Sequence, residues 1–160
     1  MTAALSIVVV EPDRDRALLI VDSLRDAGNY DIHVISEPTG LARRIQALNP
    51  DVVLIDIESP SRDMLEELAL ASGPLDRPVA MFVDRDGAGL TEAAIEAGVS
   101  AYIVDGMKPQ RVKPIMDAAI ARFRIFQRMR TELAETKRAL EERKMIDRAK
   151  GMLMKARGID

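Results

Sequence analysis

The sequence predicts an α/β fold: a five-stranded, doubly wound parallel sheet followed by a long C-terminal coiled-coil helix. Five short apolar runs, nearly continuous and rich in β-branched residues, alternate with stretches of helical periodicity. Runs of that kind are typical of strands buried on both faces of a parallel sheet. After Pro109 no glycine occurs until Gly151, which favours one long helix. With 160 residues the chain has room for one domain and an appendage.

Each element has its own signal along the chain. The predicted strands are short and apolar: 5–10, 31–36, 51–56, 78–83 and 101–104. The predicted helices between them carry apolar residues at helical spacing: 13–27, 39–48, 61–72 and 90–97. Gly28 ends the first helix, Asn49 and Pro50 stop the second, and Gly98 ends the fourth, since these residues disfavour continued helix.

The last helix starts at Pro109, and Pro114 falls in its first turns, where proline is tolerated. At 1.5 Å per residue it would be about 60 Å long, too long for so small a domain to cover. Apolar residues recur in it every seven positions: Val112, Ala119, Phe126, Leu133 and Leu140. This repeat predicts a parallel dimeric coiled coil through residues 112–150, with Phe126, Leu133 and Leu140 as its seam. The alternative is an amphipathic helix folded back on its own domain.

The composition excludes several classes of protein. Apolar residues make up 48% and charged residues 31% of the chain, a soluble globular balance. No apolar run approaches the roughly 20 residues that span a bilayer, and no basic stretch precedes the first strand, so we expect neither a membrane segment nor a signal peptide. The lack of cysteine excludes disulfides and thiolate sites and suits the cytoplasm. A single histidine, His33, cannot build a multi-histidine metal site.

Charge is segregated along the chain. Residues 1–121 contain 11 basic and 20 acidic residues, whereas residues 122–160 contain 12 basic and 6 acidic ones. We therefore expect an acidic domain over 1–121 and a basic extension over 122–160. Such extensions often contact nucleic acid, although a solvated helix with surplus arginine is the alternative.

Acidic residues mark the ends of the predicted strands. Glu11 and Asp13 follow the first strand and Asp56 ends the third, and the carboxyl ends of such strands carry the working residues of these folds. Carboxylate oxygens suit Mg²⁺, and an aspartate beside that cation can accept a phosphoryl group. Glu11, Asp13 and Asp56 are thus candidate metal ligands. The alternative is structural, with Asp13 as a helix N-cap.

Four segments carry a family resemblance: the first strand with its acidic turn, DVVLIDIESP (51–60), RPVAMFVD (77–84) and GVSAYIVDGMKP (98–109). In this order they resemble a response-regulator receiver domain over residues 5–121. The resemblance implies a flavodoxin-like fold and places Asp56 on the phosphoacceptor position and Glu11 on the first acidic position. Three positions depart from the pattern: Pro12 replaces the second acid, Val83 the switch hydroxyl, and Asp105 the lysine.

These departures imply a degraded phosphorelay. Proline has no side-chain oxygen, valine has no hydroxyl, and an aspartate near Asp56 disfavours a phosphate there. Lys108, three residues after Asp105, is a candidate to pair with the phosphate instead. Pseudo-receivers of this kind can be controlled by a ligand-binding sensor protein; a conventional receiver would be controlled by a histidine kinase.

The segment RKMIDRAKGMLM (143–154) resembles the opening of an ANTAR domain, an RNA-binding output module. Combined with the receiver, it resembles the NasT-type and AmiR-type transcription antiterminators, and FVDRDG (82–87) with AYIVDG (101–106) favours the nitrate-responsive NasT type. The basic residues are the RNA-binding candidates: Arg143, Lys144, Arg148, Lys150 and Lys155. The chain stops where the first ANTAR helix would turn into the second, so we expect weak, salt-dependent RNA binding without sequence preference.

The main functional hypothesis is therefore a homodimeric, signal-responsive regulator of transcription antitermination that binds stem-loops in nascent mRNA leaders, in nitrate or nitrite assimilation. The alternatives are a conventional response regulator phosphorylated at Asp56 and a protein-interaction module. We expect no enzymatic activity, because the sequence has no nucleophile–base pair and no nucleotide-binding loop. No cofactor is required by this hypothesis; Mg²⁺ is the one candidate.

Overall fold

A computed structural model describes residues 4–37, 39–71, 76–85 and 89–158. Within these ranges, strands and helices alternate, as the sequence predicts. The strands are β1 (Leu5–Val10), β2 (Tyr30–Ile35), β3 (Val52–Ile57), β4 (Val79–Val83) and β5 (Ala101–Val104). The helices are α1 (Arg14–Ala27), α2 (Leu41–Leu48), α3 (Arg62–Ala71), α4 (Leu90–Glu96) and α5 (Pro109–Ala156).

The five strands form one parallel sheet in the order β2-β1-β3-β4-β5. This confirms the predicted doubly wound fold. The order places β1, β3 and β4 side by side at the centre of the sheet. Their carboxyl ends therefore lie next to one another, which is the edge where the acidic residues of the sequence fall.

Each face of the sheet has its own apolar core. On one face, strand residues such as Val8 and Val10 lie in a cluster with residues of α2, α3 and α4; on the other, Ile7 and Val9 lie in a cluster with residues of α1 and α5. Successive strand side chains point to opposite faces, and both faces are covered. For this reason the strands appear in the sequence as continuous apolar runs rather than alternating ones.

The start of α1 shows how a local signal fixes an element. Asp13 is extended (φ −85°, ψ 121°) and its side chain accepts hydrogen bonds from the backbone N–H groups of Asp15 and Arg16. This is an N-cap, which satisfies two of the donors that a helix start leaves unpaired. The capping alternative for Asp13 is therefore confirmed. Of the predicted helix 61–72, Ser72 lies outside the described residues.

The chain divides into two compact units, 1–123 and 124–160, and α5 contributes to both. In the first unit, Val112, Met116 and Ala119 are fully buried in the core formed with β1 and α1. The prediction that the coiled coil begins at about residue 112 is therefore wrong, because Val112 and Ala119 are already buried in the core of the first unit; the predicted seam residues Phe126, Leu133 and Leu140 lie beyond that core. In the second unit the described side chains are exposed. No helix within the described ranges is long and apolar enough to cross a membrane.

Candidate functional site

An acidic pocket lies at the carboxyl ends of the three central strands. Glu11 follows β1, Asp56 lies near the end of β3, and Asp84 follows β4. Glu11 is 3% exposed and Asp56 1% exposed, whereas the Asp84 side chain is 36% exposed. Two buried carboxyl groups with a third at the rim require a compensating positive charge or a proton, because burying unpaired charge is costly.

Arg16 supplies the positive charge. Its Nη2 lies 3.1 Å from Asp56 Oδ1, its Nη1 lies 3.4 Å from Asp84 Oδ2, and its Nε lies 3.9 Å from Glu11 Oε2. One guanidinium thus contacts three carboxyl groups from three strand ends. The planar guanidinium has five N–H donors and stays charged at any physiological pH, which suits it to this bridging position.

The N-cap of α1 positions this arginine. Asp13 Oδ1 accepts from Asp15 N at 2.9 Å and from Arg16 N at 3.3 Å. Glu11 also holds the turn, since its Oε1 accepts a hydrogen bond from Asp13 N at 2.9 Å. The two acidic residues on either side of Pro12 therefore have different roles. Glu11 faces the pocket, whereas Asp13 fixes the first turn of the helix that carries Arg16.

The surroundings of Glu11 favour its protonated form. Burial and a hydrogen bond with Asp56 raise the pKa of Glu11 to about 8, with Arg16 acting in the opposite direction. Glu11 Oε2 and Asp56 Oδ2 are buried and have no other hydrogen-bond partner in the described part of the chain. A proton shared by the two carboxyl groups would satisfy both atoms and would reduce the negative charge that Arg16 must balance.

The residues present do not fit Mg²⁺. The described residues contain no group of three His, Cys, Asp or Glu side chains arranged to hold a metal ion. Asp13 Oδ1 caps its own helix, Pro12 offers no oxygen, and Asp56 Oδ1 is paired with Arg16. The structure therefore does not assemble the predicted trio of Glu11, Asp13 and Asp56 as a metal site.

The loop after β5 makes room for Asp84. Gly106 has φ +73°, and a Cβ built there would lie 2.5 Å from Asp84 Oδ1, so only glycine fits both the conformation and the space. Its N–H donates to Val83 O at 2.8 Å. Asp105 also has a positive φ, of 80°, and is exposed. Lys108 is exposed as well, and within the described ranges it makes no ion pair with the pocket carboxylates.

A basic face occupies the C-terminal part of α5. At 3.6 residues per turn, three of the predicted RNA-binding residues fall within a sector of about 40°: Lys144, Arg148 and Lys155. Arg143 and Lys150 lie outside this sector. The opposite side of the helix carries the exposed apolar side chains of Ile146 and Leu153, and the exposed side chains of Met145 and Met152 lie between the two sides. This part of the helix is thus amphipathic, with a cationic side and an apolar side.

Comparison with known proteins finds similarities to both parts. The family model described as "ANTAR domain" matches residues 134–160. Among solved structures, a signal receiver domain of a modulated diguanylate cyclase from Desulfovibrio desulfuricans G20 has a TM-score of 0.64 at 19% identity over 77% of this chain and 98% of that chain. The Vibrio cholerae chemotaxis protein CheY4 has a TM-score of 0.60 at 14% identity over 73% of this chain and 99% of that chain.

The chain thus joins a fold similar to that of receiver domains to residues 134–160, which match the ANTAR model and are called the ANTAR segment below. One relative spans both parts: the transcriptional regulatory protein PdtaR of Mycobacterium tuberculosis (strain ATCC 25618 / H37Rv) is 27% identical over 148 residues, which cover 91% of this chain and 72% of that protein. The DNA-binding response regulator MtrA of Mycolicibacterium paratuberculosis is 27% identical over 118 residues, 74% of this chain and about half (51%) of that protein.

Sequence reasoning found the two buried carboxyl groups of the receiver but missed Arg16. Asp84 enters the sequence analysis only as the last residue of the segment 77–84. A usable signal was present: an arginine three residues after an N-capping aspartate lies in the first turn of a helix that starts at the acidic edge. Distances from Arg16 to Asp56 and Asp84, 40 and 68 residues away, follow only from the fold.

Proposed function

We propose that this protein is a signal-responsive regulator of transcription antitermination, in which the receiver controls an RNA-binding ANTAR output. One observation carries the proposal. The helix α5 begins in the core of the receiver and continues through the ANTAR segment without interruption to Ala156. A change in how α5 packs on the receiver would therefore act on the segment that carries the basic face.

The ANTAR segment has the charge pattern of a surface that contacts a phosphate backbone. Lys144 and Arg148 are one helical turn apart and share the basic sector with Lys155. Cations along one helix face release counterions when they meet RNA, so the affinity depends steeply on salt. The segment from residue 134 onward contains no aromatic residue. Recognition by base stacking is therefore not available from it, and electrostatic contact is the main contribution expected.

Dimerisation through α5 would bring two such faces together. Phe126, Leu133 and Leu140 are 45%, 58% and 53% exposed and lie on one side of the helix at seven-residue spacing. The next position of the series is Asp147, and the same side carries Arg143 and Lys144. We therefore propose a coiled coil limited to the predicted seam of Phe126, Leu133 and Leu140, which is shorter than the predicted range 112–150, followed by paired basic faces.

The charges beside this seam favour the parallel arrangement. Arg130, Lys137 and Lys144 recur every seven residues along one flank, four residues after each seam residue. An antiparallel pair would oppose these cations to one another. In a parallel pair these cations face the other flank of the partner helix. Glu132 lies on that flank, five residues before Lys137, which is the spacing of an interhelical ion pair.

The experiment is RNA binding by charge-reversed variants. Fluorescence anisotropy with a labelled stem-loop RNA should show that Lys144→Glu/Arg148→Glu weakens binding at least about tenfold, since two phosphate contacts become repulsive. The matched control, Arg124→Glu/Arg128→Glu, makes the same change in net charge on the opposite side of α5, before the ANTAR segment. We expect it to change the affinity less than about threefold. Equal losses in both variants would contradict an RNA-binding face.

The signal that the receiver detects is proposed from sequence resemblance. Segments 82–87 and 101–106 resemble the nitrate-responsive antiterminators, which supports a role in nitrate or nitrite assimilation through a ligand-binding sensor protein. Growth of a deletion strain on nitrate as the nitrogen source tests it, and normal induction of nitrate-assimilation genes in that strain would contradict it.

The second candidate is a conventional response regulator phosphorylated at Asp56 by a histidine kinase. The burial of Asp56 at the end of β3 favours it, because this is where the resemblance places the phosphoacceptor. Against it stand the arginine that already pairs with Asp56 Oδ1 and the apolar, fully buried Val83 at the position of the switch hydroxyl.

A further inference from the structure

The pocket of the receiver is built around a cation that belongs to the chain itself. Arg16 contacts carboxyl oxygens of Asp56, Asp84 and Glu11 at 3.1, 3.4 and 3.9 Å. A divalent cation at this edge would need oxygens of the same groups, because Pro12 offers none and Asp13 Oδ1 is used as a cap. A guanidinium and a metal ion cannot both be paired with Asp56 Oδ1.

We propose that Arg16 is the resident cation of this pocket, and that it makes the receiver independent of Mg²⁺ by occupying the position a metal ion would require. The inference goes beyond the proposed function. It concerns the receiver alone and holds whether or not the ANTAR segment binds RNA.

Three features of the fold hold Arg16 in place. The cap at Asp13 fixes the backbone of the first turn of α1. Ala17, the next residue, is 5% exposed and its N–H donates to Asp13 O at 2.9 Å, so the turn cannot rotate without exposing it. Gly106 leaves the space in which Asp84 reaches the guanidinium. The arginine is thus positioned from its own helix and from the far side of the pocket.

The pairing also has a consequence for Asp56. One of its oxygens is paired with Arg16, and the other is buried with no hydrogen-bond partner besides Glu11 in the described residues. Neither oxygen is presented to a metal-bound phosphoryl group. Removing the guanidinium should leave Asp56, Asp84 and Glu11 without their shared cation. Their oxygens are of the kind that Mg²⁺ prefers, but in the described residues their present positions do not form a metal site, so these side chains would have to draw together to bind the ion.

The test is thermal unfolding of the full chain with about 10 mM MgCl₂ or with EDTA. For the wild type we expect the two melting temperatures to agree within about 1 °C. Arg16→Met keeps the apolar stem without the charge; it should melt several degrees lower in EDTA and regain about 3 °C in MgCl₂, since a ligand stabilises the state that binds it. Arg14→Met, an exposed arginine two residues earlier on α1, is the matched control and should behave like the wild type.

Two results would overturn the proposal. One is an Arg16→Met variant that Mg²⁺ does not stabilise beyond the wild type. The other is measured on the wild type, so it decides the question even if Arg16→Met does not fold. Binding of Mn²⁺ is followed by electron paramagnetic resonance in the wild type and in Asp56→Asn. A Mn²⁺ ion that binds the wild type but not Asp56→Asn would show that the pocket accepts a metal ion with Arg16 in place.

Discussion

Truncating the seam of α5 should convert the dimer to monomer. The change is Leu133→Ala/Leu140→Ala, which removes two of the three side chains that we assign to the seam. Fully burying a leucine stabilises by about 1.5–3 kcal/mol. Leu133 and Leu140 are 58% and 53% exposed in the single chain, so a partner helix can bury the exposed half of each side chain. That burial stabilises the dimer by about 1 kcal/mol for each side chain.

A dimer contains four of these side chains, so the double variant should lose about 4 kcal/mol of association free energy, which is roughly a thousandfold in Kd. Sedimentation-velocity analytical ultracentrifugation over a concentration series measures this shift. The matched control is Ile146→Ala/Leu153→Ala. These residues are 55% and 58% exposed, the same degree as the seam leucines, but they lie on the opposite side of α5.

The reasoning predicts that the control variant sediments like the wild type. A wild type that is monomeric at high micromolar concentration would refute the seam. An equal loss of the dimer in both double variants would show that apolar exposure in general, rather than the face of Phe126, Leu133 and Leu140, drives association. A lower melting temperature in Leu133→Ala without any change of mass would favour the alternative in which α5 folds back on its own domain.

Three further predictions concern the receiver. Incubation with a small phosphodonor and Mg²⁺ should give little or no phosphorylated protein by intact-mass spectrometry; stoichiometric phosphorylation that Asp56→Asn abolishes would refute the degraded phosphorelay. The raised pKa of Glu11, about 8 against 4.5 when unfolded, means that the folded state holds a proton that the unfolded chain releases. The free energy of unfolding should therefore fall as the pH rises from 4.5 to 8, by up to about 1.4 kcal/mol per pH unit from this group, and urea denaturation should show that Glu11→Gln removes this contribution. Gly106→Ala should destabilise by more than Gly40→Ala in the same assay: both glycines have positive φ (73° and 66°), at roughly 1 kcal/mol each, but a Cβ meets Asp84 Oδ1 only at Gly106. Equal losses would mean that the Asp84 contact is not formed.

The strands could be predicted because each apolar run is a local property. A parallel sheet covered on both faces needs strands of continuous apolar residues. The five apolar runs are each too short to form a long helix or a membrane span, so a buried strand is the structure that they predict. The boundaries differ by only a residue or two. For example, β2 begins at Tyr30 rather than residue 31, and β3 extends to Ile57, so Asp56 is the last but one residue of the strand rather than its last.

The seven-residue repeat shows where local pattern stops being sufficient. Val112, Ala119, Phe126, Leu133 and Leu140 form one series in the sequence. A seven-residue repeat indicates that one face of a helix is apolar, but it does not indicate which part of the protein covers that face. The structure divides the series: the sheet buries the first two residues completely, and the last three remain about half exposed.

By itself, the sequence determined the order of the elements, the parallel sheet, the acidic edge with Glu11 and Asp56, and the basic ANTAR segment, because each of these depends on neighbouring residues or on a fixed periodicity. Only the tertiary structure decided what balances the charge of that edge. Arg16 lies 40 residues from Asp56 and 68 from Asp84 in the chain. The three residues meet because the crossovers of the fold bring the ends of β1, β3 and β4 together. At that edge the buried carboxylate of Asp56 pairs with the nearest cation, because an unpaired buried charge is costly.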